Sequence, residues 1–245
     1  MLIIASDFDG TICKVYGDEY CISEKDRNAI KYWQQEGNRF GIVTGRGSGL
    51  FDEELVQMIK LDYAVVYNGA LIMDGNRKVI AEEYIPRELA EDYAAFIQQF
   101  PGLEECKFDF ACRDPKESPN DENIKGVYQI STGGNLQEEV DLAVALCNVR
   151  YSDTIITYKI SNAINAVKRG VSKATGIRAY MRAVGCTERE VFSVGDNYND
   201  LPMLYAFDGY VVNTANKEIR DLIPNHCEDM DDLMMQAKKR YTEGH

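Results

Sequence analysis

From the N-terminus, short apolar runs alternate with segments whose apolar residues recur at helical spacing. Leu2-Ile3-Ile4-Ala5 is apolar throughout and carries β-branched side chains, the pattern of a strand buried on both faces. It stops at Ser6-Asp7-Phe8-Asp9-Gly10-Thr11. Ser23 then caps a predicted helix over 24–36, with Ile30 and Trp33 on one face and Gly37 as its stop. A second strand is expected over 39–43, ending in Thr44-Gly45-Arg46. A helix over 51–59 and a third strand over 63–66 follow. Strand, helix, strand, helix, strand is the pattern of a parallel α/β layer.

After Val66 the pattern changes. Residues 68–72 and 78–80 flank Asp74-Gly75-Asn76, a hairpin signal. A helix is predicted over 86–100, strands over 107–112 and 126–131, a helix over 135–147, and strands over 151–158 and 163–168. Helix-strand-strand twice over implies a small antiparallel sheet with helices on one face. The parallel pattern resumes with a helix over 173–184 and a strand over 190–194 that ends in Gly195-Asp196. A helix over 199–206, a strand over 210–212 and helices over 215–222 and 231–241 complete it. The fold class expected is therefore α/β: a Rossmann-like parallel sheet core, residues 1–81 and 168–245, with an inserted small α+β cap domain over 82–167. The two chain crossings, near Ala81 and at Lys168-Arg169-Gly170, are the natural hinges for a cap that closes over a cleft.

Composition narrows the classes of function. A net charge of −13 argues against nucleic acid or a membrane surface as partner, since both call for a basic face. No apolar segment approaches the ~20 residues of a membrane span, and the opening apolar run is too short for a signal peptide. The seven cysteines are odd in number and include no C-x-x-C pair, which reads as the reduced thiols of a cytoplasmic protein. His226 and His245 are the only histidines, so a Ser-His-Asp or Cys-His mechanism or a histidine-ligated zinc is nearly excluded.

Candidate chemistry lies where the strands end, because ligands of open α/β sheets bind beyond the carboxyl edge. Asp7 and Asp9 follow the first strand; Thr44, Gly45 and Arg46 the second; Asn68 the third. Lys173 opens a helix, and Asp196, Asn199 and Asp200 follow the next strand. Taken singly, each acid is better read as a turn or cap residue. Together, four carboxylates and one lysine at one edge are costly to hold without a cation. Asp7 can be an oxygen nucleophile toward phosphorus, since a carboxylate ionised at neutral pH needs no base. Asp9 can protonate a leaving oxygen and later deprotonate water. Gly10 permits close backbone approach to an anion. Thr44 offers a hydroxyl donor, and Lys173 a fixed charge for phosphoryl oxygens. Mg²⁺ keeps several waters, so Asp7 and Asp196 suffice as side-chain ligands.

Asp7-Phe8-Asp9-Gly10-Thr11, Val43-Thr44-Gly45-Arg46, Lys173 and Gly195-Asp196-Asn197-Tyr198-Asn199-Asp200 resemble the four motifs of the haloacid dehalogenase superfamily. Tyr67-Asn68-Gly69-Ala70 and Gly170-Val171-Ser172-Lys173 resemble its Cof-type branch. The resemblance spans essentially the whole chain in the right order. It implies a Mg²⁺-dependent phosphatase with Asp7 as nucleophile, Asp9 as general acid and base, and Thr44 and Lys173 as phosphate binders. Asp7, Asp196 and the backbone carbonyl of Asp9 would hold the metal, with Asp200 and Asn199 supporting its water shell. Gly10, Gly45, Arg46, Asn68 and Asn199 would line the substrate side. The chain departs from the family at Ala174-Thr175-Gly176-Ile177, which predicts a looser start to the helix of Lys173.

Within that resemblance three functions compete: a hydrolase of small phosphate monoesters such as sugar phosphates, a phosphosugar mutase, and a non-catalytic sugar-phosphate sensor. The four intact acid and lysine positions disfavour the sensor. The partner expected is a small-molecule phosphate ester, and the chain a monomer or weak homodimer. Cys112, Arg113 and Lys159 are the specificity candidates in the cap. Tyr198 is open to either a substrate contact or a packing role. Gly45-Arg46-Gly47-Ser48-Gly49 hints at dinucleotide binding, but Leu50 stands where the third glycine belongs.

Overall fold

The computed structural model describes residues 1–16, 19–112, 119–120, 122–160 and 162–244. The chain divides into two compact units, Met1–Ala81 with Ser172–His245, and Glu82–Val171. Arg113 lies outside the described residues.

In the first unit the opening apolar run forms β1 (Ile3–Ser6), every residue of it buried. A hairpin of β2 (Lys14–Tyr16) and β3 (Glu19–Cys21) follows, where the sequence pattern predicts no element. The Ser23 hydroxyl accepts from the backbone of Asp26 and starts α1 (Glu24–Gln35). Next come β4 (Arg39–Val43), a single helical turn α2 (Glu54–Gln57), β5 (Tyr63–Val66), β6 (Leu71–Asp74) and β7 (Val79–Glu82).

Two expectations fail here for local reasons. The helix predicted over 51–59 is a 3₁₀ turn, Ser48–Asp52, and then α2, broken at Glu53, whose backbone is extended. Its carboxylate pairs with Arg46, a contact the helical period does not encode. Residues 67–69 form a 3₁₀ turn rather than the start of a strand. Tyr67 and Asn68 take left-handed φ of 52° and 54°, and their N–H groups donate to the carbonyls of Arg46 and Thr44. The chain folds back on the second strand end instead of extending a ladder.

The second unit holds α3 (Arg87–Ile97), β8 (Lys107–Cys112), β9 (Ile124–Gly133), α4 (Gln137–Arg150), β10 (Ile155–Ile160) and β11 (Ala163–Lys168). The four strands form one antiparallel sheet in the order β10-β11-β9-β8. Tyr93 and Ile97 of α3 and Val140, Ala143 and Cys147 of α4 pack with Ile130, Ile155 and Ile164 in its core.

The chain returns to the first unit through α5 (Lys173–Val184), β12 (Val191–Gly195), α6 (Leu201–Ala206), β13 (Asp208–Val212), α7 (Lys217–Leu222), β14 (Asn225–Cys227) and α8 (Met230–Glu243). The large sheet runs β14-β13-β12-β1-β4-β5-β6-β7. It is parallel from β14 to β5, and β6 pairs antiparallel to β5. Because β1 lies between β12 and β4, the ends of these three strands are neighbours. That is the switch point at which such sheets bind ligands.

Ile3, Ile4 and Ala5 have no solvent exposure, as a strand covered on both faces requires. The Tyr63 ring stacks on Tyr180 of α5 at 3.8 Å, and its hydroxyl donates to the carbonyl of Ile4. Asp26 of α1 accepts from the backbone of Met230 at the start of α8, which ties the two ends of the unit together. No helix among the described residues is long and apolar enough to cross a membrane, and the seven cysteines are free thiols.

Candidate active site

Asp7 leaves β1 with its N–H still donating to Val194 of β12 at 2.9 Å. Its carboxylate is buried and accepts from Lys173 Nζ at 2.6 Å. The same ammonium donates to Asp200 Oδ1 at 2.5 Å. Lys173 is the first residue of α5, and the start of that helix is tightly fixed. Ser172 accepts from Thr175 N, and the Thr175 side chain accepts from Ser172 N, a capping box. The looser start predicted from residues 174–177 is therefore incorrect, because Thr175 supplies the reciprocal cap.

Asp196 follows β12 and accepts from the Thr11 hydroxyl at 2.8 Å. Asp7, Asp196 and Asp200 each offer an oxygen within 4.8 Å of the others. Gly10 sits beside them with φ +79°, and a Cβ there would come within 2.5 Å of Asp196 Oδ2. Conformation and space both demand glycine at this position.

The charges do not balance. Burial pushes the Asp7 carboxyl well above the ordinary range and Asp200 adds to it; Lys173 offsets only part. Burial and then Asp200 also raise Asp196. Burial alone would lower Lys173, but Asp200 and Asp7 overcome it and hold the ammonium protonated. Three carboxylates thus face one ammonium. A divalent cation fits this deficit, and hard carboxylate oxygens suit Mg²⁺. Asp7 and Asp196 could offer oxygens to it. Asp200 is committed elsewhere: Oδ1 accepts from Lys173, and Oδ2 from the N–H groups of Asp196 and Asn197.

Asp9 is not in this cluster. Its carboxylate is half exposed and is clamped by Arg46, Nε to Oδ2 at 2.8 Å and Nη2 to Oδ1 at 2.5 Å. The remaining edge of Arg46 meets both oxygens of Glu53, at 2.8 and 2.7 Å. The hydrogen bond to Asp9, opposed by partial burial and aided by Glu53, raises Arg46 further above its ordinary value. Its guanidinium lies over the Phe8 ring at 4.9 Å.

Thr44 is buried, and its Oγ1 accepts from Arg46 N at 3.1 Å. Asn68 is buried against Gly45; a Cβ at Gly45 would lie 3.1 Å from the Asn68 amide. The Asn199 side chain makes no hydrogen bond to the described residues and is half-buried on the 3₁₀ turn Tyr198–Asp200. Tyr198 is exposed on the same turn. In the second unit Cys112 is buried, and Lys159 pairs with Asp141 on α4. Thr11 and Glu53 are not singled out by the sequence pattern: the Thr11 hydroxyl within residues 7–11 is a signal for its contact with Asp196, and Glu53 has none.

The haloacid dehalogenase-like hydrolase family matches residues 4–125 and 106–232. A Bacillus subtilis protein named 5-amino-6-(5-phospho-D-ribitylamino)uracil phosphatase YcsE is 26% identical over 208 residues, covering 82% of this chain and 79% of its own. A haloacid dehalogenase-like hydrolase from B. subtilis superposes with a TM-score of 0.79 at 18% identity, over 97% of this chain and 99% of that one. The subclass IIB sugar phosphatase BT4131 superposes with a TM-score of 0.73 at 21% identity, over 99% of each chain.

Proposed function

The chain belongs to the haloacid dehalogenase-like hydrolase family and is a phosphatase, and we propose that it cleaves small phosphate monoesters through an aspartyl-phosphate on Asp7. The observation that carries this reading is the buried Asp7 carboxylate held at 2.6 Å by Lys173 within a carboxylate cluster of unbalanced charge. Such a group is positioned as a nucleophile and stands where a cation and a phosphoryl group would complete the charge.

In the first step an Asp7 oxygen bonds to phosphorus while the ester P–O bond breaks. The departing oxygen takes a proton from Asp9. In the second step a water oxygen bonds to phosphorus, its proton passes to Asp9, and the Asp7–phosphorus bond breaks. Inorganic phosphate leaves and the carboxylate is restored. Lys173 and the Thr44 hydroxyl would meet the phosphoryl oxygens, where charge is carried during transfer. Bound Mg²⁺, held by Asp7, Asp196 and the carbonyl of Asp9, would neutralise part of that charge. Asp200 holds Lys173 and the 196–197 backbone in place, a supporting role rather than a direct ligand. Gly10, Gly45, Arg46, Asn68 and Asn199 would border the substrate. The inserted unit Glu82–Val171 would act as the cap and supply selectivity among substrates.

The sugar phosphatase activity named for BT4131 supports sugar phosphates and related metabolites as the class to try first. The test is phosphate release from a panel of such esters by the wild-type chain and Asp7→Asn. The variant keeps the side-chain size but loses the nucleophile, and its release is expected to fall to background. Release by Asp7→Asn within a few-fold of wild type would refute the covalent route.

A further inference from the structure

We propose that Glu53 is a positioning residue for phosphoryl transfer, acting through Arg46 to set the place of Asp9. The inference rests on the reading of Asp9 as acid and base given above.

Apart from Asp9, several groups hold Arg46. Its N–H donates to Thr44 Oγ1 and its carbonyl accepts from Tyr67 N. Phe8 lies beneath the guanidinium. Glu53 takes the Nη1 end with both carboxylate oxygens, which leaves the Nε and Nη2 edge turned to Asp9. Glu53 is itself held by its backbone. It sits at the break between the 3₁₀ turn and α2 with φ −72° and ψ 131°. Its N–H donates to Leu50, and its carbonyl accepts from Val56 and Gln57. The interruption of a segment patterned as one helix coincides with the residue that reaches Arg46.

Stability is a poor explanation for this arrangement. Arg46 and Glu53 are 36% and 35% exposed, and ion pairs open to solvent contribute little to stability. What two paired carboxylates on one planar fork do provide is orientation. Asp9 has to part from Arg46 to reach a leaving oxygen or a water. A guanidinium with a second carboxylate behind it can stay in place as Asp9 swings away and receives it again on return. Without Glu53, Arg46 would be free to follow Asp9, or to turn toward the carboxylates around Asp7.

The experiment is a double-mutant cycle on turnover of an aryl phosphate and an alkyl phosphate. It uses wild type, Glu53→Ala, Glu53→Gln, Arg46→Ala and the Arg46→Ala/Glu53→Ala pair. Misplacing the acid–base group should lower kcat of Glu53→Ala roughly 10- to 100-fold, with KM nearly unchanged. Glu53→Gln, which keeps one acceptor oxygen toward Nη1, should recover part of the loss. In the Arg46→Ala background the Glu53→Ala change should alter kcat by less than about 2-fold, since its route is already cut. Equal losses in both backgrounds, no loss in the wild-type background, or a loss confined to KM would each overturn the proposal. A wild-type chain that releases no phosphate from either ester is a different failure: it sinks the phosphatase reading and this inference with it.

Discussion

Asp109 shows what burial alone does to a carboxyl in this protein. It lies on β8 opposite Gln129, and desolvation pushes it from 3.8 up to about 6. A carboxyl raised on folding favours the folded state below its unfolded pKa, and that contribution is lost as pH rises through the folded value. Between about pH 4 and 6, Asp109 therefore erodes stability as pH increases, by an amount that can reach roughly 3 kcal/mol. Asp109→Asn should match wild type near pH 4 and become the more stable protein by pH 7, as read from urea midpoints. A difference that stays constant across that range would contradict this. Asp7 is raised by burial too, but there Lys173 opposes the shift and favours the ionised carboxylate. The sequence distinguishes the two only in part. Asp7 and Asp196 were legible because each directly follows an apolar run that must be a buried strand. Asp109 was not, since its burial depends on neighbours distant in the chain, and Glu53 is tied to Arg46 by a break that no periodicity announces.

Among the elements, α5 links local sequence to the site most directly. It delivers Lys173 from its first turn, and the Ser172–Thr175 capping box fixes that turn. Ser172→Ala should cost about 1 kcal/mol of stability and should also lower turnover, since Lys173 would lose its fixed anchor. A denaturation midpoint and a kcat both unchanged would show that packing alone sets this helix. Strands such as β1 and β5 were read correctly because a continuous apolar run between turn signals has few alternatives. The 67–69 segment turns because its N–H groups bond to the strand end beside it, whereas 48–57 keeps local hydrogen bonds and breaks where Glu53 is extended. The β2–β3 hairpin and β14 went unforeseen for a related reason: strands of three residues carry too little pattern to stand out.

At the scale of the molecule, a chain of net charge −13 gathers three carboxylates around one ammonium, so cation binding and folding stability are linked. Titrating Mg²⁺ into the metal-free protein should raise its thermal midpoint, corresponding to about 2.7 kcal/mol when free Mg²⁺ is 100 times its Kd. Asp196→Asn should lose most of that shift, and an undiminished shift would move the metal away from Asp7 and Asp196. The central claim is the covalent bond to Asp7, and trapping it is the most direct measurement. The chain is quenched during turnover of a phosphate ester, treated with borohydride to reduce any acyl phosphate, digested, and its N-terminal peptide sequenced by mass spectrometry. Homoserine is expected in place of aspartate at position 7, only when substrate was present. Turnover that proceeds while Asp7 stays unmodified and the reduction appears at another carboxylate would contradict it.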